Sequence, residues 1–293
     1  MNRTVKEIGK KIVAGIPTRA WLSYKFKQKM GYPMDWKNPK TFNQKLQWLK
    51  VYDRNPLYTT LVDKYEVKKY VSDKIGDQHI IPTLGVWDKF DEINFDSLPD
   101  QFVLKCTHDS GGLVIVRDKS KFDKESAREM FRVALNRNPY SVTREWPYKN
   151  VKPRIIAEQY MEDENDAAGL TDYKFFCFNG KPEMLYVSQG LEDHSTASIS
   201  FFDMEGKSMP FHRSDFKPIG GEITLPSNFK QMKETASKMA KEVGCPFVRI
   251  DLYSVRGQMY FSEVTFSPCS GMLPFEPKEW DYTLGGWIKL PSK

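Results

Sequence analysis

The chain has only four histidines and four cysteines in 293 residues, and neither type is grouped. Cys106, Cys177, Cys245 and Cys269 stand far apart, with no Cys-x-x-Cys pair and no histidine at metal-ligand spacing. That pattern argues against a zinc site and a disulfide framework and leaves buried reduced thiols as the reading. No apolar run approaches the length needed to cross a bilayer, and the charge-punctuated stretch Met1 to Lys11 lacks the hydrophobic segment of a signal peptide. A cytoplasmic protein without an integral membrane segment is therefore expected. Lys and Arg exceed Asp and Glu by 44 to 38, a net charge of +6, but the basic residues are scattered between acidic ones. Such dispersal argues against nucleic acid and leaves an anionic small ligand. There is no Walker P-loop, no Gly-x-Gly-x-x-Gly fingerprint and no Asp-x-Asp of the kind that holds a metal-bound sugar nucleotide.

What the chain does contain is two segments of complementary chemistry. Phe102-Val103-Leu104-Lys105-Cys106-Thr107-His108-Asp109-Ser110-Gly111-Gly112 reads as a strand that delivers a lysine into a small, glycine-rich loop. Far downstream, Arg249-Ile250-Asp251 and Phe261-Ser262-Glu263-Val264-Thr265 read as paired strands that set an arginine and two carboxylates side by side. Lysine and backbone N–H groups suit phosphates, and paired carboxylates suit Mg²⁺, whose oxygen shell commonly includes substrate phosphates. Together they point to ATP chemistry. The plainer alternative for Asp251 and Glu263 is the wet face of an amphipathic hairpin. His108 reads as a loop histidine bonded to backbone.

Three parts are expected along the chain. Residues 1–60 form a basic, aromatic, helical lead-in, with Thr41 or Asn43 as cap of a helix through Leu49. Residues 61–153 form a small α+β lobe. Asp63 caps a helix through Val71 and Ile75, Ile80-Ile81-Pro82 is a strand candidate, and two strands close around the Lys105 loop as a hairpin. Asp123 then starts a helix with Ala127, Met130, Phe131, Ala134 and Leu135 on one face. Trp146, Tyr148 and Arg144 either stack on a sugar or pin a loop. Residues 154–293 form a second lobe, an antiparallel sheet with helices behind it. It opens with the strand Arg154 to Met161 and an acidic loop, Glu162 to Asp166. It also has a hairpin turning at Asn179-Gly180, a core helix capped by Ser227 and stopped by Gly244, and a turn at Gly257.

In order and spacing, several of these features resemble the ATP-grasp superfamily: Lys105 with its glycine loop, Glu158, Lys174 after a strand, Asp251, and Glu263 followed by a polar residue and a proline. Asp63-Lys64-Tyr65, the Lys-Cys-Thr-His-Asp-Ser-Gly-Gly run and Asp172-Tyr173-Lys174-Phe175-Phe176 look most like its teichuronopeptide-biosynthesis (TupA-like) type, whose members occur among surface-polysaccharide genes and are often labelled glycosyltransferases. The likeness covers roughly Asn43 to Gly271.

The resemblance implies an α+β ATP-grasp fold, two α+β lobes holding ATP between them, behind a short helical N-terminal region where many relatives carry a full α/β domain. It implies ATP and Mg²⁺ as cofactors and phosphoryl transfer to a carboxylate, followed by attack of an amine on the acyl phosphate. Lys105 and Lys64 would take phosphates under the Ser110, Gly111 and Gly112 loop, and Glu158, Gln159 and Met161 would contact adenine. Asp251 and Glu263 would hold Mg²⁺ with Thr265, which replaces the asparagine common at that position. Arg249 and Lys174 would serve the acyl transfer. The implied substrates are a small carboxylate and an amine, or a sugar-linked acceptor. A glycosyltransferase and a nucleotide-binding module without turnover are the alternatives.

Overall fold

Thr41 opens a helix because its hydroxyl and the side chain of Gln44 satisfy each other's backbone N–H groups, a complete capping box. That helix, α2 (Phe42–Tyr52), follows α1 (Thr18–Met30), so the helical lead-in is present. The computed structural model describes residues 15–162, 170–189, 197–219 and 223–292. It divides into two units, Asn55–Glu162 and Met1–Arg54 with Asp163–Lys293.

In the unit Asn55–Glu162, α3 (Leu57–Val62) leads to α4 (Glu66–Ile75). Asp63 Oδ1 accepts the Tyr65 and Glu66 N–H groups, but α4 starts later than an Asp63 cap would set it: its N-cap is Tyr65, which makes no side-chain cap bond. The strand expected at Ile80–Ile81 begins instead after the proline, as β1 (Thr83–Trp87). Pro82 cannot donate an N–H to a ladder and so sits ahead of the strand. β1, β2 (Phe102–Cys106), β3 (Leu113–Val116) and β4 (Ile155–Gln159) make an antiparallel sheet in the order β1-β4-β2-β3. The sequence reading puts β4 at the head of the second lobe, whereas β4 pairs with β1 and β2 and belongs to this sheet. The reason is long-range pairing that local pattern does not carry. Helix α5 (Lys124–Leu135) is capped by Asp123 and lays Ala127, Phe131 and Ala134 against Phe102, Leu104, Cys106, Ile155 and Ala157. A single-turn helix, α6 (Tyr140–Thr143), precedes a 3₁₀ turn, Trp146–Asn150, that packs on α3. Arg144 is buried there, with its guanidinium over the Tyr140 ring (5.6 Å).

The other unit is built on β5 (Asp172–Phe178), β6 (Lys181–Gln189), β7 (Ser198–Phe202), the short β8 (His212–Arg213), β9 (Phe247–Val255), β10 (Gln258–Thr265) and the short β11 (Phe275–Glu276). The main sheet runs β10-β9-β5-β6-β7, antiparallel throughout, and β8 pairs with β11. Two tight turns have positive φ at both central residues, Asn179-Gly180 (49° and 82°) and Arg256-Gly257 (50° and 79°), the conformation that hairpins of this length favour. Helix α7 (Phe229–Val243) buries Phe229, Met232, Ala236, Met239, Ala240 and Val243 on one sheet face. Its N-cap is Asn228 and not the expected Ser227, and Gly244 ends it in the left-handed conformation.

On the opposite face, Phe176, Phe178, Met184 and Phe247 pack against Phe42 and Leu46 of α2 and Leu284 of α8 (Glu279–Trp287). The lead-in thus shares a core with the C-terminal sheet and is not a layer of its own. Phe42 fixes it edge-on to Phe247 at 5.0 Å. All four cysteines are free thiols. Three are buried, but Cys269 is exposed, against expectation, because it lies in a surface turn. Among the described residues no helix is long and apolar enough to cross a membrane.

Candidate functional site

Alternation along β2 turns Phe102, Leu104 and Cys106 toward α5 and leaves Lys105 on the other face, which it shares with Glu158 of β4. Lys105 Nζ lies 2.7 Å from one Glu158 oxygen, and Lys68 Nζ of α4 lies 2.5 Å from the other. Lys68 also donates to the Ile81 carbonyl at 2.6 Å. Burial alone would raise the Glu158 carboxyl, but the two lysines outweigh it and hold it down at about 2. Lys68 was not legible as a site residue, although it follows Lys64 by only four residues. Gln159 falls on the face opposite Glu158, opposite Phe102 in register, and is exposed. Its N–H donates to the Pro82 carbonyl, and Met161 lies just past the strand end, half-buried.

The glycine loop is held from three sides. The Asp109 side chain accepts from the Gly112 N–H (3.0 Å) and, more weakly, the Gly111 N–H (3.3 Å). Lys64 donates through Nζ to the Asp109 carbonyl (2.7 Å) and through its backbone to the Thr107 carbonyl. His108 is buried with Nε2 at 3.2 Å from the carbonyls of Ala134 and Arg137, the backbone role expected of it. Glycine is required at 112, where a Cβ would lie 2.6 Å from Cys106 Sγ. Ser110 at the loop tip is exposed. Arg154 bridges Asp63 (2.8 Å) and Glu66 (2.7 Å), tying β4 to the helix start that carries Lys64.

In the other unit, register gathers the charged residues into one row. Tyr186, Lys174 and Asp251 pair successively across β6, β5 and β9, and Glu263 of β10 pairs with Asp251. Glu263 reaches that row through a bulge. Phe261 pairs with Leu252, so uninterrupted alternation would set Ser262 opposite Asp251; the register shift between Phe261 and Glu263 puts the glutamate there. No sequence signal marks this shift. Thr265 and Phe176 pair with Arg249 in the next row.

Arg249 grips Asp251 through both carboxylate oxygens, at 2.7 and 2.6 Å, and also lies 3.6 Å from Glu263. Burial, opposed by Arg249 and Lys174, pushes the Asp251 carboxyl up to about 6. Lys174 donates to the Asp172 carboxylate and to Ser188 Oγ. Asp172 was legible only as part of a motif. Two residues before Lys174, it must share that lysine's face, and this spacing could have marked it. Two buried oxygens in this region, Asp172 Oδ1 and Thr265 Oγ1, have no hydrogen-bond partner.

An all-oxygen donor set with orphaned oxygens fits a hard cation. Among the described residues no three His, Cys, Asp or Glu side chains converge as a closed metal site, so such an ion would take further ligands from phosphate and water. Of the acidic loop, Glu162 is exposed, and Asp163 to Asp166 lie outside the described residues.

Comparison with curated proteins finds no match. Among solved structures, a D-alanine–D-alanine ligase from Bacillus anthracis complexed with ATP is 19% identical over 71% of this chain and 55% of its own, with a TM-score of 0.41. An L-amino acid ligase from Bacillus licheniformis is 12% identical over 88% of this chain and 54% of its own, with a TM-score of 0.43. The ATP-grasp ligase PsnB, complexed with a phosphomimetic variant of its minimal precursor, Mg and ADP, is 11% identical over 76% of this chain and 56% of its own, with a TM-score of 0.43. The chain thus spans little more than half the length of these proteins. A family model described as TupA-like ATPgrasp matches residues 44–289, in which the Lys105 loop and the Lys174–Asp251–Glu263 row both fall, and the chain belongs to that family.

Proposed function

We propose that this protein is an ATP-dependent carboxylate–amine ligase that attaches an amino acid or amine to a uronic acid or similar carboxylate in surface-polysaccharide synthesis. The observation that carries the reading is the row Lys174–Asp251–Glu263 with Arg249 beside it, because it holds cations and carboxylates on one rigid sheet face. Mg²⁺, when bound, neutralises phosphate charge and lowers repulsion of the incoming carboxylate. Asp251, Glu263 and Thr265 would hold it. Lys105 and Lys64 bind phosphates at the glycine loop, which needs positioning and charge far more than covalent help. The substrate carboxylate takes the γ-phosphoryl group, giving an acyl phosphate and ADP. The amine then attacks the acyl carbon, and phosphate leaves with one former carboxylate oxygen. Arg249 and Lys174 stabilise the oxyanion of that step. A cytoplasmic location follows from the supply of ATP.

Oxygen tracing tests the reading. With an ¹⁸O-labelled uronic acid and an amine, ADP and labelled inorganic phosphate are expected. AMP with pyrophosphate, or phosphate without label, would rule out the acyl phosphate. Release of a nucleoside diphosphate from a sugar nucleotide would select a glycosyltransferase.

A further inference from the structure

Four residues after the Glu263–Thr265 segment, the backbone does something L-residues rarely do. Cys269 (φ 49°, ψ 37°), Ser270 (φ 58°, ψ 30°) and Gly271 (φ 64°) are consecutively left-handed. Only glycine takes that region freely, so a non-glycine pair there persists only where surrounding contacts impose it. The contacts come from one stripe of α2. Asn43, Gln47 and Lys50, spaced by four and three residues, lie on one helical face and are all buried.

Asn43 donates to the Leu273 carbonyl (2.9 Å) and accepts from its N–H (2.7 Å). Gln47 donates to the carbonyls of Ser270 (3.0 Å) and Gly271 (2.7 Å). Lys50 donates to the Ser270 carbonyl (2.6 Å) and hydroxyl (3.1 Å). The approach is close enough that a Cβ on Gly271 would lie 2.6 Å from Gln47 Nε2 and 2.9 Å from Leu46 Cβ. The turn is tied to the charged row on both sides: Thr265, four residues before it, pairs with Arg249, and Phe275, four residues after it, pairs with Arg213, which donates to the Tyr186 hydroxyl at 2.7 Å.

We infer that the Asn43–Gln47–Lys50 stripe is a clamp that imposes the left-handed turn 269–271, that Lys50 is its main positioning residue, and that the turn orients the carboxylate substrate at the neighbouring row. The substrate half rests on the ligase reading; the clamp does not. The bonds to the Ser270 carbonyl fix the plane of the Ser270–Gly271 peptide, and the Gln47 bond to the Gly271 carbonyl fixes the next one. The wall of the row is thereby set by a helix more than two hundred residues away in sequence. Lys50 touches no reacting atom in this scheme and acts through the turn alone.

The experiment compares wild type, Lys50→Met, Lys50→Arg and, should the first variant not fold, Gln47→Leu. Hydrogen exchange of the peptide covering 269–273 should accelerate at least tenfold in Lys50→Met and recover in part in Lys50→Arg, while exchange across α7 stays unchanged. Mg·ATP affinity by calorimetry should stay within twofold. In ATP turnover with D-glucuronate as probe, KM for glucuronate should rise at least tenfold with kcat less affected. Unchanged exchange in 269–273 overturns the clamp. Accelerated exchange with an unchanged glucuronate KM overturns the positioning role. If the wild type shows no carboxylate-dependent ADP formation, the ligase reading and the substrate half fail together, and the exchange data still decide the clamp.

Discussion

Two clusters of buried ion pairs, each on a strand face, carry opposite balances. At Glu158, two lysines share one carboxylate. On β5, β9 and β10, three carboxylates, Asp172, Asp251 and Glu263, share Lys174 and Arg249. The first arrangement leaves positive charge over and holds its carboxyl down at about 2. The second leaves negative charge over, together with unpartnered oxygens, and burial pushes Asp251 up to about 6. An excess of cations is made for an anion, and an excess of carboxylates for a cation. The same local device, a lysine or arginine gripping a carboxylate, thus leaves opposite charge in the two places, and in the proposed ligase that difference would suit phosphate at one and Mg²⁺ at the other.

The largest expected effect separates the clusters by activity. Asp251→Asn and Glu263→Gln each remove charge from the carboxylate-rich side and should lower ADP formation roughly 10³-fold, about 4 kcal/mol of transition-state stabilisation. Glu263→Gln is the cleaner variant, because its side chain is 28% exposed whereas Asp251 is nearly sealed against Arg249. Its melting temperature should stay close to wild type. If Glu263→Gln retains normal rates at limiting Mg²⁺, the row is a structural ion-pair ladder and the comparison collapses.

Acid should strike the other cluster, with a sign fixed by the lowered carboxyl. The Glu158 carboxyl falls from its ordinary 4.5 to about 2 on folding. Its stabilisation is complete above pH 4.5 and is lost as pH falls through 2. The amount is on the order of 3 kcal/mol. Urea unfolding at pH 6 and pH 3 should show wild type losing stability that Glu158→Gln has already lost, so the pH dependence flattens in the variant. An unchanged acid limb would mean that the lysines do not hold this carboxylate.

Local chemistry made some of the molecule legible and long-range pairing hid the rest. Asn179-Gly180, the Thr41 cap and the apolar face of α7 were readable because each is decided within a few residues. The Lys105 loop and the Arg249–Asp251 strand were readable for the same reason. β4 was misplaced because its partners β1 and β2 lie far back in the chain. The β10 bulge that aims Glu263 leaves no trace in composition, and a strict period of two would have pointed that side chain away from Asp251. Lys68 was hidden by being one more lysine on a polar helix, and only the fold shows that it ends on Glu158.

The smallest expected effect is the one that divides the lysine cluster internally. Lys105 and Lys68 both grip Glu158, but the Lys105 side chain is 25% exposed and continues into the glycine loop, whereas Lys68 is 12% exposed and its Nζ is already spent on the Ile81 carbonyl. Lys105→Met keeps the stem and leaves Glu158 paired with Lys68, so the fold should survive. Losing one charge-assisted phosphate contact should weaken ATP binding by about 1.5–3 kcal/mol, roughly 10- to 150-fold. Lys68→Met should instead lower stability and shift the acid limb, with ATP affinity changed less than about threefold. Calorimetric titration with Mg·ATP measures both. Equal losses in the two variants would mean that the cluster acts as one undivided patch, and no loss in either would place the phosphates elsewhere.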